Sequence, residues 1–382
     1  MKQRAVFITN IPSPYRVDFF SYLQKQFPEY EFHIIFSGAG MENRKWSVAL
    51  SGLSNYHILK SKTIIIRRRF DDRYVFLPLG VEKTLRGIAP DVVFAMEYNP
   101  TILRAVHWCR RKKIPFISWT DGTLHSERGI GKVQRLSRSY IIKRAAAFIA
   151  SSTASKEAQI AYGADPDKCF LSYLTVDIRK YLFNKYGTGE AVKTGKQLIY
   201  VGSLIQRKGL DLLLPALAKT EPDIRLVIVG EGQEKPELEA QIADLGLKER
   251  VRFCGYVEGE ALQKLYRESD AFILPTREDC FGLVILEAMC ASLPVISSKY
   301  ADGARNLVTE GENGYIVDPE DTDAFAAVIG RLFSEGRIAG MGEKSYRKAQ
   351  EFSFENVSEG CIAALRYVLE NRGKKVEKED FI

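Results

Sequence analysis

Residues 197–219 read Gln197-Leu198-Ile199-Tyr200-Val201-Gly202-Ser203-Leu204-Ile205-Gln206-Arg207-Lys208-Gly209-Leu210-Asp211-Leu212-Leu213-Leu214-Pro215-Ala216-Leu217-Ala218-Lys219. A continuous apolar run is followed by a glycine, a turn with two adjacent cations, and an apolar stretch of helical spacing. A strand apolar on successive residues is buried on both faces, and helices cover both faces mainly of parallel sheets. The stretch therefore predicts one strand–loop–helix unit of a doubly wound domain, with its loop on the ligand-binding edge.

The alternation recurs in both directions. Downstream, strands are expected at Arg225–Val229, Val251–Cys254, Ala271–Leu274, Pro294–Ser297 and Gly314–Val317. Helices are expected at Leu210–Lys219, Glu234–Asp244, Gly259–Tyr266, Gly282–Cys290, Ala304–Glu310 and Thr322–Phe333. Upstream, strands are expected at Ala5–Thr9, Glu31–Phe36, Asp91–Ala95, Pro115–Trp119 and Ala147–Ala150, with helices at Val17–Gln26, Thr101–Arg111 and Lys132–Arg144. The polar, glycine-bearing stretch Asp177–Lys196 breaks the rhythm and reads as a linker. The predicted fold class is α/β: two doubly wound Rossmann-like domains, residues 1–180 and 195–352, facing a central cleft. In the third segment, 353–382, a helix is expected to pack back toward the first domain, ahead of a charged tail. Ligands of such sheets lie beyond the carboxyl ends of the strands.

The 382 residues are 46% apolar and 27% charged, which excludes disordered, collagen-like and coiled-coil classes for the bulk of the chain. No apolar run approaches the roughly 20 residues of a membrane-spanning helix. The basic start Met1–Arg4 precedes only the short run Ala5–Thr9, which reads as a buried strand rather than a leader. Six cysteines without a C-x-x-C pair argue against a zinc ribbon or disulfide scaffold and suit the cytoplasm.

Charge is unevenly spread. Residues 1–190 hold 30 Lys and Arg against 16 Asp and Glu, whereas residues 191–382 hold 25 against 32. Basic groups gather at Arg67-Arg68-Arg69, at Arg110-Arg111-Lys112-Lys113, and at Lys132, Arg135, Arg138, Lys143 and Arg144, where Leu136, Ile141 and Ile142 interleave. The expectation is a first domain that meets an anionic membrane surface, at the inner face of the membrane. Nucleic acid is not expected, since no reading motif is present.

Three constellations carry chemistry. In the first, Gly202 lets backbone approach a ligand, and Arg207 and Lys208 flank a helix N-terminus, together a seat for a diphosphate. The second is Asp279-Cys280-Phe281-Gly282-Leu283-Val284-Ile285-Leu286-Glu287, with Phe281–Leu283 opening a helix and offering free N–H groups. Glu287 is an acid in an otherwise apolar helix and needs a partner, either a ribose diol or a cation across the cleft. The third is Trp119-Thr120-Asp121-Gly122-Thr123-Leu124-His125, where Asp121 and His125 would touch sugar hydroxyls or the segment simply turns. Asn10, Pro12–Arg16 and Glu97-Tyr98-Asn99 follow other strands and are candidate cleft residues.

These motifs resemble family 4 glycosyltransferases, retaining enzymes of the GT-B fold. Arg277–Met289 is similar to that family's acid-x7-Glu motif and Val201–Gly209 to its phosphate loop. Val229–Gly232, Val251–Val257, Asn313–Val317 and Phe352–Val357 fall on its recurring segments. The resemblance implies a nucleotide-sugar donor, a UDP-sugar or another, with Glu287 on its ribose and Asp279 on the transferred sugar. It places Phe281, Gly282 and Leu283 against sugar and phosphate, and Lys208 with Arg207 on the diphosphate. Gly202 and Ser203 would line the phosphate loop, and Gly255, Tyr256 and Val257 would frame the base. Asp121 stands where the family often has a catalytic histidine. Asn10, Tyr15, Arg16, Glu97 and His125 would meet the acceptor, a glycan or a lipid-linked one in surface polysaccharide synthesis. Three positions depart from the pattern: Asp279 replaces Glu, Ser203 replaces Arg, and Gly303-Ala304-Arg305-Asn306 replaces G-x-x-E.

No D-x-D motif or His/Cys ligand spacing is present, so neither metal nor cofactor is expected, and side-chain cations should do the charge work. A nucleotide-sugar epimerase of the same architecture would turn over donor without acceptor. A non-catalytic nucleotide- or lipid-binding adaptor would tolerate loss of Asp279 and Glu287. A nicotinamide-dependent dehydrogenase is disfavoured, as neither domain's first strand leads into G-x-G-x-x-G.

Overall fold

A computed structural model describes residues 2–41, 48–67, 73–186, 195–334 and 336–372. The charged tail, Arg68, Arg69 and the middle of the expected linker lie outside the described residues.

The first sheet has seven strands in the order Tyr56–Ile58, Tyr30–Phe36, Gln3–Thr9, Val92–Met96, Phe116–Thr120, Ala147–Ala150, Cys169–Leu171. The second has six, in the order Val251–Gly255, Arg225–Val229, Gln197–Val201, Ala271–Leu274, Val295–Ser298, Gly314–Val317. Every pairing in both is parallel. Parallel strands need covered crossovers, and the cores confirm it: Val6, Ile8 and Val93 pack on one face of the first sheet, Ala5, Phe7 and Phe94 on the other. Strand order reverses beside Gln3–Thr9 in one domain and beside Gln197–Val201 in the other. Those reversals open the crevice in which such sheets bind ligands.

The C-terminal helix Phe354–Glu370 packs on the first domain, not the second. Its Phe354, Val357, Cys361 and Leu365 join Phe7, Phe19 and Trp119 in one core. Gly360 lies so close to the Leu171 carbonyl that a Cβ would stand 1.7 Å from it. The chain before residue 187 is less linker-like than its polarity suggests. Val176 and Ile178 are buried in the second core, and Lys185 reaches the Ser269 carbonyl at 2.6 Å and Asp270 at 3.3 Å.

Several elements went unexpected: helices Val81–Ile88, Thr153–Ala161 and Ile338–Gln350, and an antiparallel ribbon of Lys60–Ile66 with Arg73–Leu79. The expected helix Ala304–Glu310 is a single turn, Ala304–Leu307, because Glu310 bridges to Gly314 at the start of the next strand. The basic helix, Lys132–Ile142, divides: Val133 and Leu136 are 79% and 70% exposed beside exposed Lys132 and Arg135, but its C-terminal half turns inward. Ile141 and Ile142 are buried, and the Arg138 guanidinium is locked onto buried Glu127, 2.6 Å from Nε to Oε2. Arg110, Arg111 and Lys112 close the last turn of helix Pro100–Lys112, where cations suit the dipole.

Candidate active site

Loops at the carboxyl edges of both sheets converge. In the second domain, the loop after Gln197–Val201 is wedged between its neighbours. The buried Tyr200 hydroxyl donates to the Ser203 carbonyl at 3.0 Å, and Leu204 N–H donates to the Glu231 carbonyl at 2.9 Å. Gly209, at φ +72°, lies under Pro275, whose carbonyl would be 2.1 Å from any added Cβ. This packing aims Arg207 and Lys208, on the 3-10 turn Gln206–Lys208, at the Asp279 loop.

Lys208 Nζ is 2.5 Å from Asp279 Oδ2, and Arg207 donates to the Glu278 carbonyl at 2.9 Å. The other oxygen, Asp279 Oδ1, accepts from the N–H groups of Gly282 at 2.9 Å and Phe281 at 3.2 Å, closing the loop just ahead of helix Leu283–Cys290. Those two N–H groups are therefore occupied rather than free for a ligand, contrary to the sequence expectation. Burial pushes the Asp279 carboxyl up, but Lys208 and then Arg207 outweigh it and hold the group below the usual carboxylate range.

Glu287 sits one turn into that helix, half-buried, and accepts from the Tyr266 hydroxyl at 3.1 Å. Tyr181 supplies a second hydroxyl, and burial lifts the carboxyl to about 7. The partners are tyrosines, not the cation that the sequence left open. Gly255, at φ +70°, faces Glu231; Val257 packs on the core; and Tyr256 is exposed with its hydroxyl on Glu258 at 2.6 Å.

The first domain meets this wall with a second charged group. Asp121 accepts from Arg16 at 2.6 Å through Oδ2 and from the Ser151 hydroxyl at 2.5 Å through Oδ1, and Trp119 Nε1 holds Ser151 at 2.9 Å. The Arg16 guanidinium is buried and lies over the Tyr15 and Trp119 rings at 5.4 and 5.6 Å. Asp121 and Arg16 are thus committed to each other, which removes both from the set of open ligand groups. Asn10 and Asn99 are joined at 2.7 Å. Glu97 is the unusual member. It has φ +75°, its N–H donates to the Trp119 carbonyl, and burial plus Asp121 lift its carboxyl to about 7.

The two walls touch. His125 reaches the Arg277 carbonyl at 3.3 Å and stacks on Tyr300 at 5.1 Å, and Arg128 pairs with Glu278 at 3.0 Å. Thr123 donates to Asp302, and Asn306 accepts from Thr153 at 3.2 Å. Cys280 lies against Ser126, within reach of the charges of Asp121 and Glu97. So Asp279 and Lys208 on one side, and Glu97 and Asp121 on the other, line one cleft. Sequence reasoning missed Ser151, Thr123 and Asn306. Of these, Thr123 lay inside the third constellation without a role of its own, Asn306 marked a departure at a motif position, and Ser151 carried no signal.

Two family models match nearly end to end: Glycosyltransferase Family 4 over residues 14–180 and Glycosyl transferases group 1 over residues 188–351. The chain belongs to glycosyltransferase family 4. Similar family members include an uncharacterised glycosyltransferase of Methanocaldococcus jannaschii, 30% identical over 47% of this chain and 47% of that protein. A D-inositol 3-phosphate glycosyltransferase of Acidothermus cellulolyticus is 30% identical over 55% of this chain and 50% of its own. The chain spans about half the length of the curated relatives it matches. In fold it is similar to Anabaena HepE, solved with UDP, with a TM-score of 0.76 at 20% identity over 96% of this chain and 100% of that one. The family 4 fold is thus of the GT-B type, as the sequence motifs implied.

Proposed function

We propose that this chain transfers a sugar, with retention of anomeric configuration, from a nucleotide diphospho-sugar, a UDP-sugar, to a hydroxyl of a glycan or lipid-linked acceptor. The observation that carries this is the Lys208–Asp279 pair at the start of helix Leu283–Cys290. A lysine so placed exchanges a carboxylate for a diphosphate with little movement, and the released Asp279 oxygen then faces sugar hydroxyls. Lys208 and Arg207 stabilise the charge that grows on the departing diphosphate. Glu287 takes the ribose hydroxyls in place of its tyrosine partners. Glu97 and His125 line the acceptor side, and Asn10 stands at its rim. HepE, of the same fold, has been solved with UDP-glucose.

Thermal shift with UDP, GDP and their sugars, followed by transfer assays with and without acceptor, tests the reading. A shift with UDP-sugars and acceptor-dependent sugar release are expected. Turnover of donor alone would favour an epimerase. No shift with any nucleotide would overturn the proposal.

A further inference from the structure

We propose that the ribbon of Lys60–Ile66 and Arg73–Leu79 docks the protein on an anionic lipid bilayer. The ribbon is separate from the main sheets, and its register puts Lys60, Lys62, Ile64 and Ile66 on one face with Leu79, Leu77 and Val75. The opposite face holds the anchors. Phe76 is buried with its ring against Gly38, and Pro78 is buried beside Arg104, which donates to its carbonyl at 2.8 Å.

The outward face should be polar if it met only water. Instead Ile64, Ile66, Leu77 and Leu79 are 42%, 46%, 38% and 65% exposed, in a field of lysines. Across residues 60–79 the sequence has six Lys and Arg against two Asp. Exposed apolar side chains ringed by like charge fit an anionic, apolar-cored surface, and they oppose a second copy of the same ribbon. Among the other basic groups, Arg138 is held by Glu127, Arg110 by the Tyr140 hydroxyl and Arg144 by the Tyr140 carbonyl.

The position matters. Ile58 pairs with Phe36 at the carboxyl edge of the first sheet, so the ribbon leaves from the rim of the cleft, and seven residues extend it roughly 23 Å. Gly38, under Phe76, donates its N–H to the Asn10 carbonyl at 3.0 Å. A bilayer at the ribbon would therefore lie beside the acceptor side of the cleft. That consequence rests on the reading above and favours a lipid-linked acceptor; the docking itself does not depend on it.

The test is sedimentation of the full chain with vesicles of phosphatidylcholine and phosphatidylglycerol, and with phosphatidylcholine alone, at low and high salt. Binding to the mixed vesicles only, weakened by salt, is expected. Lys60→Ser with Lys62→Ser should weaken it roughly fivefold per cation. Ile64→Ser with Ile66→Ser should weaken it at both salt levels, and UDP-induced thermal shifts should be unchanged in both variants, which shows them folded. Mixed vesicles that bind neither protein, or both variants as well as the parent, would overturn the proposal. So would a dimer by light scattering that the isoleucine variant dissociates, or loss of binding on Lys132→Ser with Arg135→Ser alone. Absence of a UDP shift with vesicle binding intact would defeat the glycosyl-transfer reading and leave the docking surface standing.

Discussion

Lys208 Nζ stands 2.5 Å from Asp279 Oδ2 although 71 residues separate them, and the same carboxylate holds the loop ahead of the next helix through its other oxygen. Lys208 therefore holds the loop that carries the motif acid and, in the proposed reading, the phosphate seat as well. Lys208→Ala should lower kcat/KM for the nucleotide sugar by roughly 10²–10³-fold, on the scale of losing one preorganised charge-stabilising group. Steady-state kinetics check it. The Asp279 carboxyl is held low in the fold, so its stabilisation is present above its unfolded pKa and is lost as pH falls through its folded one. The stability deficit of Lys208→Ala should thus be full at neutral pH and shrink on acidification, as urea titrations will show.

Glu287 titrates in the opposite sense. Burial lifts its carboxyl to about 7, so the fold holds a proton that the unfolded chain releases near its ordinary value. Its contribution falls as pH rises from the ordinary carboxylate range toward 7. Glu287→Gln should flatten that slope. In the proposed reading ribose hydroxyls donate to the ionised form, so UDP-glucose, which carries no group titrating near neutrality, should bind more tightly at pH 8 than at pH 6. Calorimetric titration should show that dependence in the parent and not in Glu287→Gln.

The second domain was legible because its strands are buried on both faces. Arg225–Val229, Ala271–Leu274 and Gly314–Val317 were expected with the bounds they have. The ribbon was not legible. Ile64-Ile65-Ile66 are exposed in succession and show neither alternation nor core periodicity. Thr153–Ala161 has Ile160 as its one large apolar residue, and its one readable signal is the Ser152 cap, whose hydroxyl accepts from Ser155 N–H. At the site, sequence spacing placed Asp279 and Glu287 on one loop–helix unit. It could not place Lys208 on Asp279, or Arg16 on Asp121, because those pairs exist only through tertiary packing. It also read the N–H groups of Phe281 and Gly282 as open, although an Asp two to three residues ahead of them is itself a signal of a local side-chain turn.

Charge neutralisation at the diphosphate falls to Arg207 and Lys208 in this proposal, which leaves no role for a divalent ion. Transfer should therefore proceed in EDTA at a rate within about twofold of that in Mg²⁺, roughly one-half kcal/mol in barrier. Loss of activity in EDTA that Mg²⁺ restores would contradict it.

Arg16 and Asp121 form a buried pair with side chains 6% and 16% exposed. Asp121→Ala would leave the guanidinium buried beside Glu97 without its main partner, a loss of about 3 kcal/mol for pairs of this kind. The urea midpoint should fall accordingly while the UDP-induced shift persists, because the pair acts on the first domain's own wall. A lost UDP shift with unchanged stability would instead place Asp121 on the donor.

Glu97 is held at φ +75°, a region costly for any residue with a Cβ, and its carboxyl is crowded by Asp121. Strain of this sort persists where the surrounding fold imposes it, commonly at functional sites. Two variants separate function from tolerance. Glu97→Gly relieves the backbone and should raise stability by about 1 kcal/mol. Glu97→Gln keeps the strain and removes the proton that the fold retains up to about pH 7, so the decline in stability from the ordinary carboxylate range to neutrality should flatten. Both should raise KM for the acceptor and leave KM for the donor unchanged, since Glu97 lies on the first-domain side of the cleft. A more stable protein that transfers sugar less well is the signature of strain kept for use. If Glu97→Gly gains stability and keeps full acceptor affinity, Glu97 has no part in acceptor recognition.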